Sequence, residues 1–437
     1  MNLAQILSNF NISELNPMQT ATMDAVAKRP DVVLISPTGS GKTLAFLLPI
    51  LDKLVDTRDD VQALIIVPTR ELAQQIEQVF KQMGSTFKIN SCYGGHSVQI
   101  ERNNLLEPPA VLVGTPGRIA HHIRKKTLHL AATEILVLDE FDKSLEAGFH
   151  EEMSYIIKSM KRLQKRVLTS ATHLKDIPAF VGVKEVKELN FVGEEKQTST
   201  KLNVKSVRVI GDDKLEALML LIGHIGAHST IVFCNHRDAV NRISEQLSRL
   251  KIEHGFYHGG LEQINREKTL IKLRNGSINL LISTDLAARG LDIPEIDAVI
   301  HYQLPTTEDA MIHRNGRTAR MHANGTAYFL LDENDFLPPF LEITPEEELL
   351  PNAIKQPPMS DWKTLYISAG KKDKVNKMDI VGMLIQKGGL KKEELGKIEV
   401  LDHSAYVAIK RNKIVQVLKQ VSEERIKNKK VKMEIST

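Results

Sequence analysis

Short, continuously apolar runs alternate with longer stretches of helical period through residues 1–195. The runs 32–35 (VVLI), 63–67 (ALIIV), 110–114 (AVLVG), 134–139 (EILVLD) and 166–171 (RVLTSA) each end at a Gly, Pro or Asp turn and give way to an amphipathic stretch. Unbroken apolar strands of this length are covered on both faces, so the pattern predicts a doubly wound parallel sheet in an α/β domain. Residues 194–200 (EEKQTST) are polar and aperiodic, as a linker is. The alternation restarts with STIVFCN, INLLIST and DAVIHYQLP, separated by helices such as 237–250, and predicts a second α/β domain over 201–342. Two such domains in tandem make a repeat of fold with no short repeat of sequence. After a Pro- and Glu-rich linker at 343–360, the pattern over 361–437 becomes strand (364–368), helix (377–387), strand (397–401), strand (406–409), helix (413–421) and strand (430–435). That βαββαβ order predicts a small α+β sandwich, open on one face.

Composition narrows the class. At 437 residues, 42% hydrophobic and 26% charged, the chain fits several globular domains, and no apolar run reaches membrane-spanning length. The amino-terminal stretch lacks the layout of a signal peptide. The two cysteines, Cys92 and Cys234, are far apart, which suits a reducing cytoplasm and argues against a zinc scaffold. Charge is uneven. Residues 361–437 hold 18 Lys and Arg against 10 Asp and Glu, a balance of +8; the whole chain carries +4, which leaves −4 to residues 1–360. A basic module on a near-neutral body fits a nucleic-acid partner.

Three motifs carry phosphate chemistry. Ser36-Pro-Thr-Gly-Ser-Gly-Lys-Thr43 lies between the first strand and a helix. Its glycines let backbone N–H groups curl around phosphates: Thr38, Gly39, Ser40 and Gly41 form the cradle, Lys42 reaches the β- and γ-phosphates, and Thr43 binds Mg2+. About a hundred residues on, Asp139-Glu-Phe-Asp142 closes a strand; Asp139 can reach the metal and Glu140 can align the attacking water of ATP hydrolysis. His313-Arg-Asn-Gly-Arg-Thr-Ala-Arg320 sets three arginines in eight residues. If it opens a helix, Arg317 and Arg320 share a face and can neutralise charge on a transferring γ-phosphate.

Together these segments resemble the DEAD-box family of ATP-dependent RNA helicases, over about residues 1–340. The resemblance implies two RecA-like domains that close on ATP. It further implies that Gln19, in Asn16-Pro-Met-Gln19, reads the adenine edge and Asp292 contacts the ribose. Ser170 and Thr172 couple hydrolysis to strand separation through Asp142. RNA is implied to meet Pro68, Thr69, Arg70, Gly95, Thr115, Gly117 and Arg118 in the first domain, and Arg237, Gln263, Arg266 and Thr284 in the second. Such hydroxyls, arginines and exposed amides suit phosphate and sugar oxygens, so the contacts are largely blind to base sequence. Four departures stand out: Phe141 where the family has Ala, Asn2 where an adenine-stacking aromatic is usual, His236 for Thr, and Met311 for an aromatic. Phe10 is a candidate replacement for the stacking ring, or a core residue.

The last 75 or so residues resemble the RNA-binding module of DbpA-type helicases, which has an RRM-like fold and directs the motor to large-subunit ribosomal RNA. Tyr406 alone supplies an aromatic in the central strand, so Lys371, Lys372, Lys410, Arg411 and Lys413 are the expected phosphate clamps. The resulting expectation is an ATP- and Mg2+-dependent RNA helicase, monomeric and cytoplasmic, acting on 23S-type ribosomal RNA or pre-50S particles. An ATP-gated RNA clamp without unwinding is the alternative, opposed by intact Glu140, Arg317 and Arg320.

Overall fold

The computed structural model describes residues 2–37, 39–95, 98–173, 176–192, 202–209, 214–288, 293–318, 325–341, 343–351, 353, 355–427 and 429–436. Thr38, Asp292 and Arg320, and the linker at 194–200, lie outside the described residues. Contacts divide the chain into two units, the first holding one parallel sheet, the second holding another parallel sheet, a four-stranded antiparallel one and a two-stranded antiparallel one.

The first sheet has seven parallel strands in the spatial order Ile89–Cys92, Val111–Gly114, Ala63–Ile66, Ile135–Leu138, Lys165–Ser170, Asp31–Ile35 and Val186–Asn190. Its period-2 side chains feed two cores. Ile65, Val111, Val113, Ile135 and Val137 pack on one face with Leu47 and Phe80, while Leu64, Ile66, Leu112, Leu136 and Leu138 pack on the other with Met153. Burial on both faces is why these strands read as unbroken apolar runs. Two strands do not read that way. Ile89–Cys92 carries Asn90 and Ser91, and Val186–Asn190 is a mostly exposed edge, so neither betrays itself by hydrophobicity.

The second sheet repeats that order with Gly255–Tyr257, Leu280–Thr284, Thr230–Cys234, Ala298–His301, Gly325–Leu331, Leu202–Arg208 and Glu346–Glu347. Numbered within each domain, both sheets run 3-4-2-5-6-1-7. The segment expected as a linker at 343–360 lies along this domain: Glu346 and Glu347 add the last strand, and Glu348 takes both Lys205 and His224.

The third sheet is antiparallel in the order Leu395–Val400, Ala405–Lys410, Trp362–Ile367, Met433–Ile435. One face packs under the helices Lys377–Gln386 and Arg411–Val421 through Leu365, Ile367, Val407 and Ile409. The βαββαβ order expected from the pattern is present. No helix among the described residues is long and apolar enough to cross a membrane.

Candidate active site and RNA interface

In both motor sheets the candidate residues follow the carboxyl ends of parallel strands, where open α/β sheets bind their ligands. In the first unit, Ser36 follows Ile35, Thr69 lies just beyond Ile66, Thr115 follows Gly114, Asp139 follows Leu138, and Ser170 closes its strand.

The phosphate loop turns into the helix Lys42–Lys53 at Gly41, whose φ of 92° is left-handed. A Cβ there would meet Gln19 Nε2 at 2.6 Å, so glycine is required twice over, by backbone and by space. Asn16 caps the helix Pro17–Lys28: its Oδ1 accepts from Gln19 N at 2.8 Å, and its N–H donates to Gln19 Oε1 at 3.0 Å. The same two side chains reach the loop, Asn16 Nδ2 donating to Ser40 O at 3.0 Å and Gln19 Nε2 to Gly41 O at 3.4 Å. The glutamine motif is thus latched to the phosphate loop. Within the loop Ser36 Oγ donates to Ser40 Oγ at 2.6 Å, and Lys42 Nζ donates to Pro37 O at 2.7 Å and to Ser36 O. Thr43 stands beside it in the first helical turn.

Asp139 is 3% exposed; burial pushes its carboxyl up from the usual range, against the opposing pull of the Thr169 hydroxyl and Lys42. A carboxylate destabilised as an anion by burial fits a hard cation, which would supply positive charge there beyond that of Lys42. Glu140 sits at φ 49°, ψ 50°, a strained left-handed setting for a non-glycine residue, and its N–H donates to Asp139 Oδ1 at 3.1 Å. The ring of Phe141 is fully buried in the second core cluster beside this turn, so the departure from Ala is absorbed by packing. Asp142 pairs at 3.3 Å with Lys143, itself 2% exposed and unmarked by the sequence. Ser170 Oγ binds within its own turn, donating to Thr172 O at 2.7 Å and accepting from Thr172 N at 3.1 Å. Phe10 packs against the first core, the second of the two uses considered for it.

Among the residues expected to meet RNA in this unit, Pro68 precedes Thr69, whose hydroxyl caps the helix Arg70–Gln82. Arg70 lies against Gly95, where a Cβ would sit 2.3 Å from Arg70 Nη1. Gly117 is exposed, with open space where a Cβ would be. Arg118 is only 13% exposed and pairs through Nε with Glu101 at 3.4 Å.

In the second unit Arg237 is well exposed at the start of its helix, near the Gly259-Gly260 turn, while Arg266 is buried and Gln263 Nε2 donates to Glu267 at 3.0 Å. His258 holds that turn, its Nδ1 accepting from Gly260 N at 3.1 Å and its Nε2 donating to Asn241 Oδ1 at 3.0 Å. Burial, then Arg237 and Arg266, lower its pKa. Thr284 ends its strand, half-buried.

The arginine segment closes a helix instead of opening one. Glu308–Asn315 stops at Gly316, and buried Arg317 follows in the turn, while Arg320 lies outside the described residues. The organiser is Arg314, which the sequence did not single out. Fully buried over the Phe233 ring, it binds both oxygens of Asp285, Asn235 Oδ1 at 2.7 Å and Gln303 O at 2.8 Å. His301 beneath it stacks on Phe329 at 4.4 Å and donates from Nε2 to Asn315 Oδ1 at 2.9 Å; burial pushes its pKa down to about 3.

The tail's sheet face opposite its helices is covered by the second motor domain. Thr364 Oγ1 accepts from Asn275 Nδ2 at 2.9 Å and donates to Ser277 Oγ at 2.8 Å, and Ser360 Oγ donates to Gly276 O. Arg274 forks onto Glu399 at 2.8 and 2.6 Å. Tyr406, on this face, is 2% exposed. Arg411, expected among the phosphate clamps, forks onto Glu253 of the motor domain, and Lys410 pairs with Asp361 at 3.0 Å over the Trp362 ring. Arg411 is occupied by the joint with the motor domain and Lys410 by its own domain, a fact that charge counting does not reveal. Lys371 stays exposed on the tail, whereas Lys372 lies 3.5 Å from Asp402 and Lys413 3.2 Å from Glu394.

Two sheets of one strand order, one with a phosphate loop and acidic strand end, the other with an arginine segment, define a two-domain nucleotide-hydrolysing motor. Residues 16–179 match the DEAD/DEAH box helicase family, 213–322 the helicase conserved C-terminal domain, and 364–435 the DbpA RNA binding domain. The ATP-dependent RNA helicase DbpA of Bacillus subtilis is 30% identical over 99% of this chain and 96% of its own length, and its Escherichia coli namesake is 31% identical over 97% and 94%. The structure of S. cerevisiae Dbp5 bound to RNA and ADP BeF3 superposes with a TM-score of 0.65 at 26% identity, covering 76% of this chain and 88% of that one. The chain belongs to the DEAD-box ATP-dependent RNA helicases, in the group that carries a DbpA RNA-binding domain.

Proposed function

We propose that this helicase uses ATP to open short RNA duplexes in large-subunit ribosomal RNA during ribosome assembly, in the cytoplasm and as a monomer. The observation that carries the reading is the DbpA RNA-binding domain over 364–435, which coincides with the +8 tail of an otherwise slightly acidic chain. The working division is a first motor domain at 1–195, a second at 201–342 and the RNA-selecting tail at 361–437. Gln19 and Asp292 hold the adenosine; Thr38, Gly39, Ser40, Gly41 and Lys42 hold the phosphates. Thr43 and Asp139 would hold magnesium, which would supply positive charge to the phosphate oxygens. Glu140 aligns the attacking water, and Arg317 and Arg320 offset charge on the transferred group. Asp142, Ser170 and Thr172 relay that event to RNA. Arg70, Gly95, Arg118, Arg237, Gln263, Arg266 and Thr284 grip the backbone, which explains a motor blind to sequence and a tail that chooses.

Steady-state ATP hydrolysis with no nucleic acid, generic single-stranded RNA, matching DNA and a large-subunit rRNA fragment tests this. Strong stimulation by the rRNA fragment above the others is expected. Equal stimulation by every RNA would leave the helicase but remove the targeting role of the tail, and RNA binding without turnover would indicate a clamp.

A further inference from the structure

Beneath the expected RNA-facing turns of the first domain lies a set of polar groups whose centre, Glu101, no motif marks. Glu101, in the helix Val98–Leu105, is 3% exposed. A carboxylate this far from water persists only where its oxygens are used. Oε1 accepts the backbone N–H of Tyr93 at 3.1 Å, and Oε2 lies 2.8 Å from His122 Nε2 and 3.4 Å from Arg118 Nε. Because a carboxylate only accepts, His122 donates from Nε2, while its Nδ1 lies 2.8 Å from the Thr127 hydroxyl, which itself donates to the His122 carbonyl at 3.2 Å.

Each contact belongs to a different piece of the proposed RNA surface. Tyr93 immediately precedes Gly94-Gly95, and Gly95 is the residue on which Arg70 rests. Arg118 ends Thr115-Pro-Gly-Arg118, and His122 lies one turn further along the same helix, Pro116–Arg124. One side chain therefore joins the turn after the strand Ile89–Cys92 to the helix that follows the separate strand Val111–Gly114.

We propose that Glu101 is a positioning residue for RNA binding, fixing Arg118 and the Gly94-Gly95 turn in the arrangement the RNA backbone meets. The inference rests on the RNA-facing reading of those turns given above. Held by Nε, the Arg118 guanidinium has one orientation before RNA arrives, so less side-chain freedom is lost on binding. Cys92 completes a trio with Glu101 and His122 whose donor atoms all lie within 4.8 Å, the spacing of a metal site. The fixed positive charge of Arg118 beside Oε2 opposes a cation there, and burial, foremost, pushes the Cys92 thiol up to about 12.

The test uses the full chain and follows ATP hydrolysis against the concentration of generic single-stranded RNA. Glu101→Gln keeps the shape, removes the charge facing Arg118 and sets a second donor against His122. Half-saturating RNA is expected to rise about tenfold, with turnover at saturating RNA kept within about twofold, as for a lost binding interaction. In an Arg118→Ala background the same substitution should add less than about twofold, since the two act through one contact. Effects that multiply across the pair would overturn the proposal, as would a lowered melting temperature with turnover reduced at every RNA concentration, or a half-saturation that follows added zinc. Should Glu101→Gln melt below the assay temperature, Arg118→Lys reads the same contact from its other side, and an unchanged half-saturation there is equally fatal. A wild-type chain that RNA does not stimulate would instead sink the RNA reading itself.

Discussion

The two motor sheets share one strand order and do different chemistry. In the first, strand Asp31–Ile35 leads through Ser36-Pro-Thr-Gly-Ser-Gly-Lys-Thr43 into a helix. In the second, strand Leu202–Arg208 leads through Val209-Ile-Gly-Asp-Asp-Lys214 into the helix Lys214–Ile225. The topological place is the same. The first connection offers glycines and a lysine to an anion, whereas the sequence of the second, outside the described residues, carries Asp212 and Asp213 instead. The sheet supplies a place and the loop supplies the chemistry. The second domain's candidate residues lie instead at the far end of a later helix, where Arg314 ties Asp285, Asn235 and Gln303 together beside Arg317.

The largest effect that would sharpen this contrast is expected at Arg314. Arg314→Ala leaves Asp285, itself 30% exposed, without its fork and removes the cation over Phe233. A loss of about 2–3 kcal/mol is expected, below the full value for a wholly buried pair because Asp285 retains some water. Urea unfolding of the chain checks it. Destabilisation under about 0.5 kcal/mol would mean the arginine segment is held by something other than this hub.

A smaller effect separates the domains by what they carry. The second motor domain bears the tail, among other contacts through the two Arg–Glu forks Arg274–Glu399 and Arg411–Glu253. Because the tail's open sheet face is turned onto the motor, substituting Arg274 and Arg411 together with Ala should loosen the tail without unfolding it. The preference for rRNA over generic RNA in the ATPase assay should then fall about fivefold to tenfold, as an effective concentration falls when a rigid joint becomes a flexible one. Native-state hydrogen exchange should rise across Trp362–Ile367. An unchanged preference would show that the tail works as a free tether.

Sequence reading went furthest where period and burial coincide. The five buried strands of the first sheet, with Asp31–Ile35 and Ile135–Leu138 among them, announce themselves because both faces demand apolar side chains. Ile89–Cys92 and Glu346–Glu347 do not, since edge and polar strands are fixed by backbone pairing, which leaves no apolar signature. The phosphate loop is legible because its backbone geometry dictates glycine, as at Gly41. Glu101, Lys143, Arg314 and Glu253 are not legible, because a charged side chain reads the same whether solvated or buried against a partner remote in sequence. The arginine segment fell between: its composition is plain, but Gly316 ends the helix there, and only the register of that stop places Arg317 in a turn.

The smallest effect bears on the comparison most directly. If loop chemistry divides the two domains, the acidic loop of the second has no part in holding phosphate. Asp212→Ala with Asp213→Ala, at positions outside the described residues, should change the half-saturating ATP concentration by less than about twofold, the scale of screened surface charges. Removing two negative charges can only favour an anion nearby, so any change should be toward tighter ATP binding and should fade as salt is raised. Steady-state kinetics at low and high ionic strength measures both. A tenfold weakening would mean that this loop contacts the nucleotide or its metal, and that the second sheet uses the same topological place as the first for chemistry of opposite charge.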